Sequence, residues 1–307
     1  MAGRPDDGAP PPDAILPAMG LISATALAAR LGDPDLRIAD VRWSLAAPAA
    51  GLAAYADAHV PGAVFVDLDT VLTAPAGPGR HPLPEPAAFA AALGDLGIGR
   101  EHLVVAYDDA GGTVAARLWW MLDALGHARV AVLDGGIAAW RDAGLPLTAG
   151  TPVTVPVAPG DRVPAGDRWP RTIDRAALAP RLGTLTLLDA RAPERYRGEV
   201  EPIDPIAGHI PTAVSAPTAS FLGPDGRFLP PAALRERFAS LGDGARPVVV
   251  QCGSGVNACQ LALAMRSAGL PDPLLYPGSY SDWSRAAMPV ATGDAPGEMP
   301  AGGPPAG

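Results

Sequence analysis

Two cysteines stand in a chain of 307 residues, and one of them closes an apolar run and opens a glycine-rich turn in "PVVVQCGSGVNACQLALAM" (247–265). Val248 to Val250 read as a buried strand, and Ala258, Leu261, Ala262 and Met265 recur at i, i+3, i+4 and i+7 as one face of a helix. Cys252 therefore sits where a strand ends and a helix is about to begin. Gly253 and Gly255 permit φ values that curl the backbone, so that successive N–H groups converge on the space above the sulfur. Those amides and the positive end of the helix favour an anion, the usual way to lower a thiol pKa and supply a thiolate near neutral pH. The competing reading is a small core residue packed in a turn, because free cysteine is among the most buried side chains. Cys259, on the helix face, is read that way, and a bridge between the two is awkward within one helical segment. A phosphate-binding loop lacks its Gly-Lys-Ser/Thr ending here. Ala258, six residues after the cysteine, leaves no arginine to grip phosphate in a phosphatase.

The elements that must hold Cys252 in place occur twice. "RIADVRW" (37–43) pairs with "LLDARAPERYRG" (187–198), and "AHVPGAVFVDLDT" (58–70) with "GHIPTAVSAPTAS" (208–220). Farther on, "LVVAYDDAGGTVAARLWWML" (103–122) pairs with "VVVQCGSGVNACQLALAM" (248–265), and "VLDGGIAAW" (132–140) with "LYPGSYSDW" (275–283). In each copy short apolar runs alternate with helical patterns, the first copy placing Ala115, Leu118, Trp119 and Leu122 on one face. Such alternation predicts an α/β chain of two tandem domains, each a parallel sheet with helices on both faces and its ligands beyond the strands' carboxyl ends. The expected division is a disordered tail at 1–16, an inactive domain at 17–149, a Pro/Gly-rich linker at 150–170, a catalytic domain at 171–291 and a second disordered tail at 292–307. In the first copy Asp108 stands at the place of Cys252, so that half is expected to be catalytically silent.

Composition narrows the partners. The chain is 48% hydrophobic with a net charge of -9, and all 23 of its Lys and Arg residues are arginine, in no basic run. Neither a nucleic acid nor an anionic membrane has a surface to bind. The N-terminal "MAGRPDDGAPPPDAILPAMG" lacks the apolar segment of a signal peptide, and no apolar stretch is long enough to span a bilayer. Two cysteines do not make a disulfide framework. A soluble protein of the reducing cytoplasm is expected.

With "CGSGV.AC" at 252–259, "GHIP.AV" at 208–214, "DARAPERYRG" at 189–198, "LWWML" at 118–122 and "LDGG..AW" at 133–140, the chain resembles the two-domain rhodanese sulfurtransferases over roughly residues 20–290, and within them the branch that uses 3-mercaptopyruvate. The resemblance implies that Cys252 attacks the donor's sulfur, becomes a persulfide and passes that sulfur to a thiol, either a small thiol or a thioredoxin-type protein. No metal or organic cofactor is implied. The loop amides of Gly253, Ser254, Gly255, Val256, Asn257 and Ala258 would hold the persulfide as an anion, as an oxyanion hole does. By the same resemblance His81 is a proton shuttle, Asp69 orients it, Ser254 bridges to the thiol and Arg195 grips the donor. The alternatives are a turn or cap residue for Asp69, an exposed loop residue for His81 and a surface ion pair for Arg195. Arg191, His59 and His209 are read as structural.

Four departures from the family pattern accompany the match. The second substrate arginine expected by resemblance falls near Ile203 and Asp204, so half of a carboxylate clamp is missing or comes from elsewhere. Thr212 replaces a glycine in "GHIPGA", which predicts a less tightly built turn. Ser215 or Ala216 stands where asparagine is common, and Asn257 replaces a threonine. The neutrality of Gly253 and Ser254 argues against thiosulfate, a compact dianion, as the preferred donor. A non-enzymatic sulfur carrier would require Asp69, His81 and Arg195 to lie far from Cys252.

Overall fold

The structure is a computed structural model and describes residues 20–151, 154–242 and 244–299. Among the described residues nine strands form two sheets, all of whose pairings are parallel. The first contains β1 (Leu21–Ile22), β2 (Leu36–Asp40), β3 (Ala63–Phe65), β4 (Leu103–Tyr107) and β5 (Val130–Leu133), in the order β1-β5-β4-β2-β3. The second contains β6 (Thr186–Asp189), β7 (Ala213–Ser215), β8 (Val248–Gln251) and β9 (Leu274–Leu275), in the order β7-β6-β8-β9. Setting β2, β3, β4 and β5 on β6, β7, β8 and β9 superposes the two orders, as the internal repeat requires. The strands read as nearly unbroken apolar runs because helices cover both faces of a parallel sheet.

Side chains repeat with the strands. Asp40 binds Arg42 at the end of β2 and Asp189 binds Arg191 at the end of β6, each ion pair buried. His59 stacks on Tyr55 and His209 on Tyr196, each with Nδ1 at 2.7 Å from that tyrosine's carbonyl. Arg191 and both histidines thus serve their own domains. Thr212 has φ +69°, where the matching Gly62 has φ +80°, so the turn keeps its shape and a β-branched residue carries the left-handed backbone.

The Thr113–Ala124 helix after β4 and the Asn257–Ser267 helix after β8 pack against each other and join the domains. Both are buried on nearly every side, since each lies between a sheet and its counterpart. One apolar core runs across the junction, from Leu118 and Trp119 to Leu261 and Leu263.

Two expectations about connecting segments change. The part of 150–170 that is described is not a free linker: Val157 N–H donates to Gly94 O, and Trp169 packs on Phe89 and Trp120 while its indole N–H donates to Pro84 O. A tryptophan with somewhere apolar to go holds down a segment that otherwise lacks periodicity. Residues 292–299, expected in a disordered tail, are bound to the second domain. Thr212 N–H donates to Pro296 O, Gly293 N–H donates to Arg197 O, and His209 Nε2 lies 3.1 Å from Ala295 O. Backbone hydrogen bonds, which composition does not reveal, hold them there. The expected tail at 1–16 and the end of the second, from 300 on, lie outside the described residues.

Candidate active site

Cys252 follows β8 directly, and the turn 253–256 leads into the Asn257–Ser267 helix. Gly255 N–H donates to Cys252 Sγ at 3.1 Å, the one loop amide found to reach the sulfur. Gly255 has φ +81°, and a Cβ there would come within 2.6 Å of Pro277 O. Gly253 does not have a positive φ, contrary to expectation; a Cβ there would meet only the tips of the Arg80 and Arg195 side chains, the nearer at 2.9 Å. A second turn buttresses the first. Ser279, at φ +54°, accepts the Cys252 N–H on its Oγ, and Tyr280 and Ser281 donate N–H groups to Cys252 O and Gly253 O.

The first domain shows what such a loop holds. Asp108, wholly buried at the end of β4, accepts N–H bonds from Ala110 and Gly112 on one oxygen and from Val114 and Ala115 on the other, all at 2.8–3.0 Å. Burial pushes this carboxyl up, and the four amides pull against that push. Counted along the side chain, an aspartate oxygen lies as many bonds from Cα as the outer sulfur of a cysteine persulfide. The first domain thus keeps a carboxyl group in the place that the outer sulfur of a Cys252 persulfide would take.

Beside the sulfur lies a polar relay built from both domains. His81 Nδ1 is 2.8 Å from Ser254 Oγ, and His81 Nε2 is 4.0 Å from Asp69 Oδ1. Asp69 is held by the Trp43 indole N–H at 2.9 Å, and Trp43 meets the imidazole edge-on. Burial, then the positive charges of Arg80 and Arg117, push His81 down to about 4, so the ring is neutral at pH 7. A carboxylate near Nε2 favours the proton on that nitrogen and leaves Nδ1 to accept from Ser254.

Arg195 lies with its head group near Gly253. Glu201 binds it through Nε and Nη2, and Asp204 accepts from Nη2 at 3.1 Å. Asp204 also accepts from Arg80 Nη1, of the first domain, at 2.7 Å. Burial would raise the Glu201 carboxyl, but Arg195 and the N–H groups of Asp204 and Ile203 more than offset this and hold it below the usual carboxylate range.

Most of the expected site residues therefore lie near one another: His81 meets Ser254, two residues along the loop from Cys252, Asp69 lies beside His81, Arg195 is near Gly253, and Val256 and Ala258 are in the buried loop. Asn257 opens the helix with its side chain exposed. Cys252 is only 2% exposed and packs within the apolar core. A large cavity lined by the 73–78 loop and Trp169, among others, does not include Cys252 in its lining.

A rhodanese-like domain profile matches residues 23–143 and again 174–286. The chain belongs to the rhodanese family. It is 50% identical to a probable 3-mercaptopyruvate sulfurtransferase of Pseudomonas aeruginosa over 89% of this chain and 98% of that protein. It is also 44% identical to a putative thiosulfate sulfurtransferase of Mycobacterium tuberculosis over 90% of this chain and 98% of that one. Among solved structures, the 3-mercaptopyruvate sulfurtransferase of Leishmania major matches with TM-score 0.77 and 32% identity, covering 88% of this chain and 75% of that one. That of Escherichia coli matches with TM-score 0.75 and 31% identity, covering 86% and 99%. Tandem rhodanese domains are thus the fold, and sulfur transfer is the enzyme class.

Sequence reasoning missed three parts of this rhodanese site. Arg80 sits in an unpatterned "GPGRHP" loop. Arg117, in the apolar Thr113–Ala124 helix, drew no reading from the sequence, yet it is fully buried and has no carboxylate partner among the described residues. It donates to Leu72 O, His81 O and Gly255 O and faces the Cys259 thiol. Ser279 could be suspected only as a small residue at the turn position that matches Gly136. Cys259, pushed up to about 12 by burial against the pull of Arg117, stays a thiol, which agrees with its structural reading.

Proposed function

We propose that the protein moves sulfur from 3-mercaptopyruvate, through a persulfide on Cys252, to a thiol acceptor. The observation that carries this reading is the pair of matched loops: one holds a carboxylate on four amides, and the other places a thiol at the same position with an amide on its sulfur. The Cys252 sulfur forms a bond to the donor's sulfur while the donor's C–S bond breaks, and the electrons pass to carbon as the enolate of pyruvate. That carbon needs a proton. The thiol proton passes through Ser254 to His81 and returns to the enolate, so the relay ends as it began. The acceptor thiolate then attacks the outer sulfur and regenerates Cys252. Main-chain N–H groups stabilise the persulfide anion between the two half-reactions.

Thiosulfate is the second reading, favoured by one finding. The loop itself is neutral, but Arg80 and Arg195 bring cationic nitrogens to within 2.9 and 3.4 Å of the position a Gly253 Cβ would take. The relay supports mercaptopyruvate, because thiosulfate leaves as sulfite and needs no proton on carbon. The acceptor we assign is a small thiol or a thioredoxin-type protein and the setting a reducing cytoplasm, supported by two free cysteines. No helix among the described residues is long and apolar enough to cross a membrane. The test is kcat/KM for the two donors with a common thiol acceptor, following pyruvate and sulfite release. A higher value for 3-mercaptopyruvate is expected; a higher value for thiosulfate reverses the donor assignment.

A further inference from the structure

Arg117 is wholly buried, and among the described residues the ionisable groups it faces are two thiols, those of Cys259 and Cys252. Its donors end on main-chain carbonyls: Nη2 on Leu72 O and His81 O, and Nη1 on Gly255 O at 3.3 Å, while Nε is buried with no acceptor. Arginine keeps its charge even in such a place. A buried cation without an anion is costly, and carbonyl oxygens offset only part of that cost. Loss of the Cys252 proton puts a negative charge on Sγ, to which Gly255 gives its N–H. The residue that receives the guanidinium on its oxygen therefore meets the sulfur with its nitrogen.

The duplicated loops show that the charge is particular to the second domain. Gly255 stands three residues after Cys252, as Gly111 stands three after Asp108. Each of these carbonyls accepts from the facing helix of the other domain: Gly111 O from the neutral amide of Gln260, Gly255 O from the guanidinium of Arg117. The Gly255 carbonyl shares its peptide unit with the Val256 N–H, and Val256 matches Gly112, whose amide is one of the four on Asp108. A cation on a peptide's oxygen polarises its N–H into a stronger donor. The other charges around the sulfur are either absent or paired. His81 is neutral at pH 7, with Asp69 beyond it, Cys259 stays a thiol and the Tyr280 phenol keeps its proton. Arg80 and Arg195, above Gly253, are bound to Glu201 and Asp204, and Asp282 on the buttressing turn is bound to Arg175. We propose that Arg117 is a positioning residue for the reaction, the buried counter-charge that acts through Gly255 to favour Cys252 as a thiolate and then as a persulfide anion. The first domain, which transfers no sulfur, has only a neutral donor at the matched carbonyl.

This rests on Cys252 being the residue that carries sulfur, and the experiment keeps the two claims apart. The rate of Cys252 alkylation by iodoacetamide, with the modified residue located by peptide mass, is followed across the neutral and alkaline range for wild type, Arg117→Gln and Arg117→Lys. Glutamine, the side chain found at the matched carbonyl of the first domain, keeps a donor without the charge; lysine keeps the charge. Arg117→Gln is expected to raise the midpoint of the pH profile by about one unit, a roughly tenfold smaller thiolate fraction at neutral pH, and Arg117→Lys to return it most of the way. Loss of a structural clamp alone would lower the plateau rate or the unfolding midpoint in both variants and leave the pH midpoint in place, and that result overturns the proposal. Wild type supplies a second measurement that no folding defect touches. A buried counter-charge is little screened, so molar sodium chloride is expected to leave the wild-type midpoint nearly unchanged. A rise of about one unit in salt would instead rest the thiolate on the more exposed Arg80 and Arg195, and would overturn the role of Arg117. A Cys252 that is alkylated in this way but takes up no sulfur from 3-mercaptopyruvate overturns the sulfur-carrying reading, and the persulfide half of this proposal with it.

Discussion

At the scale of single residues, the account turns on protons and on the anion they leave behind. His81 is held down to about 4 from 6.5, which couples it to stability as well as to the relay. Above pH 6.5 the ring is neutral folded or unfolded and contributes nothing. As pH falls from 6.5 to about 4 the unfolded chain takes up a proton that the folded ring refuses, so stability is lost in this window, by ~3 kcal/mol in all. Urea unfolding of wild type and His81→Gln across pH 7 to 4.5 should show the wild type losing more; parallel curves would refute the buried neutral ring. Removing the relay should also separate the donors. In Ser254→Ala, transfer from 3-mercaptopyruvate is expected to fall by roughly 100-fold, the weight of an acid–base group, while transfer from thiosulfate falls far less. Equal losses with both donors would mean that Ser254 only shapes the loop. Cys252 was legible because a lone cysteine between a strand and Gly-Ser-Gly is a local pattern. Arg80 was not, since nothing in "GPGRHP" tells which distant turn it will touch.

At the scale of elements, the duplicated sheet lets one copy serve as the control for the other. The alternation of apolar runs with helical periods disclosed both copies in order, and the strand–turn–helix junctions fell where Asp108 and Cys252 stand. Turn geometry was less readable. Thr212 was recognised as a departure from glycine, but only its φ of +69°, matched by +80° at Gly62, shows that the turn kept its form and the residue bears the cost. Its buried hydroxyl also lacks a partner. Thr212→Gly is therefore expected to stabilise the protein by about 1 kcal/mol, left-handed strain and an unsatisfied hydroxyl outweighing the added chain entropy. Denaturant midpoints at neutral pH check this, and a lower midpoint for the variant contradicts it. The connecting segments were misread for a related reason: proline- and glycine-rich stretches have no period, whether they are free or, like Trp169 and residues 292–299, bound to a neighbour.

At the scale of the whole molecule, the proposed site belongs to neither domain alone. The second contributes Cys252 and its loop, and the first brings Asp69, His81, Arg80 and the buried Arg117 beside that loop. No sequence period reports an interface: only the resemblance, through Asp69 and His81, gave the first domain a part in the site, and Arg80 and Arg117 were not legible. Arg117 is the plainest case: its guanidinium ties Leu72 O and His81 O of the first domain to Gly255 O, whose residue also gives its N–H to the Cys252 sulfur. Arg117→Leu leaves three buried carbonyls without that donor and should cost about 3 kcal/mol in unfolding free energy as well as slowing transfer. Denaturant unfolding and single-turnover rates would both have to be unaffected for this role to be wrong.

The central claim is that main-chain amides at the end of β8 make Cys252 the residue that carries sulfur. Its most direct test is the intact mass of the protein after exposure to 3-mercaptopyruvate and rapid desalting. The account predicts a species heavier by one sulfur atom, mapped to Cys252, lost on adding a thiol and never formed by Cys252→Ser. An unchanged mass, or the added sulfur found on Cys259, would contradict it.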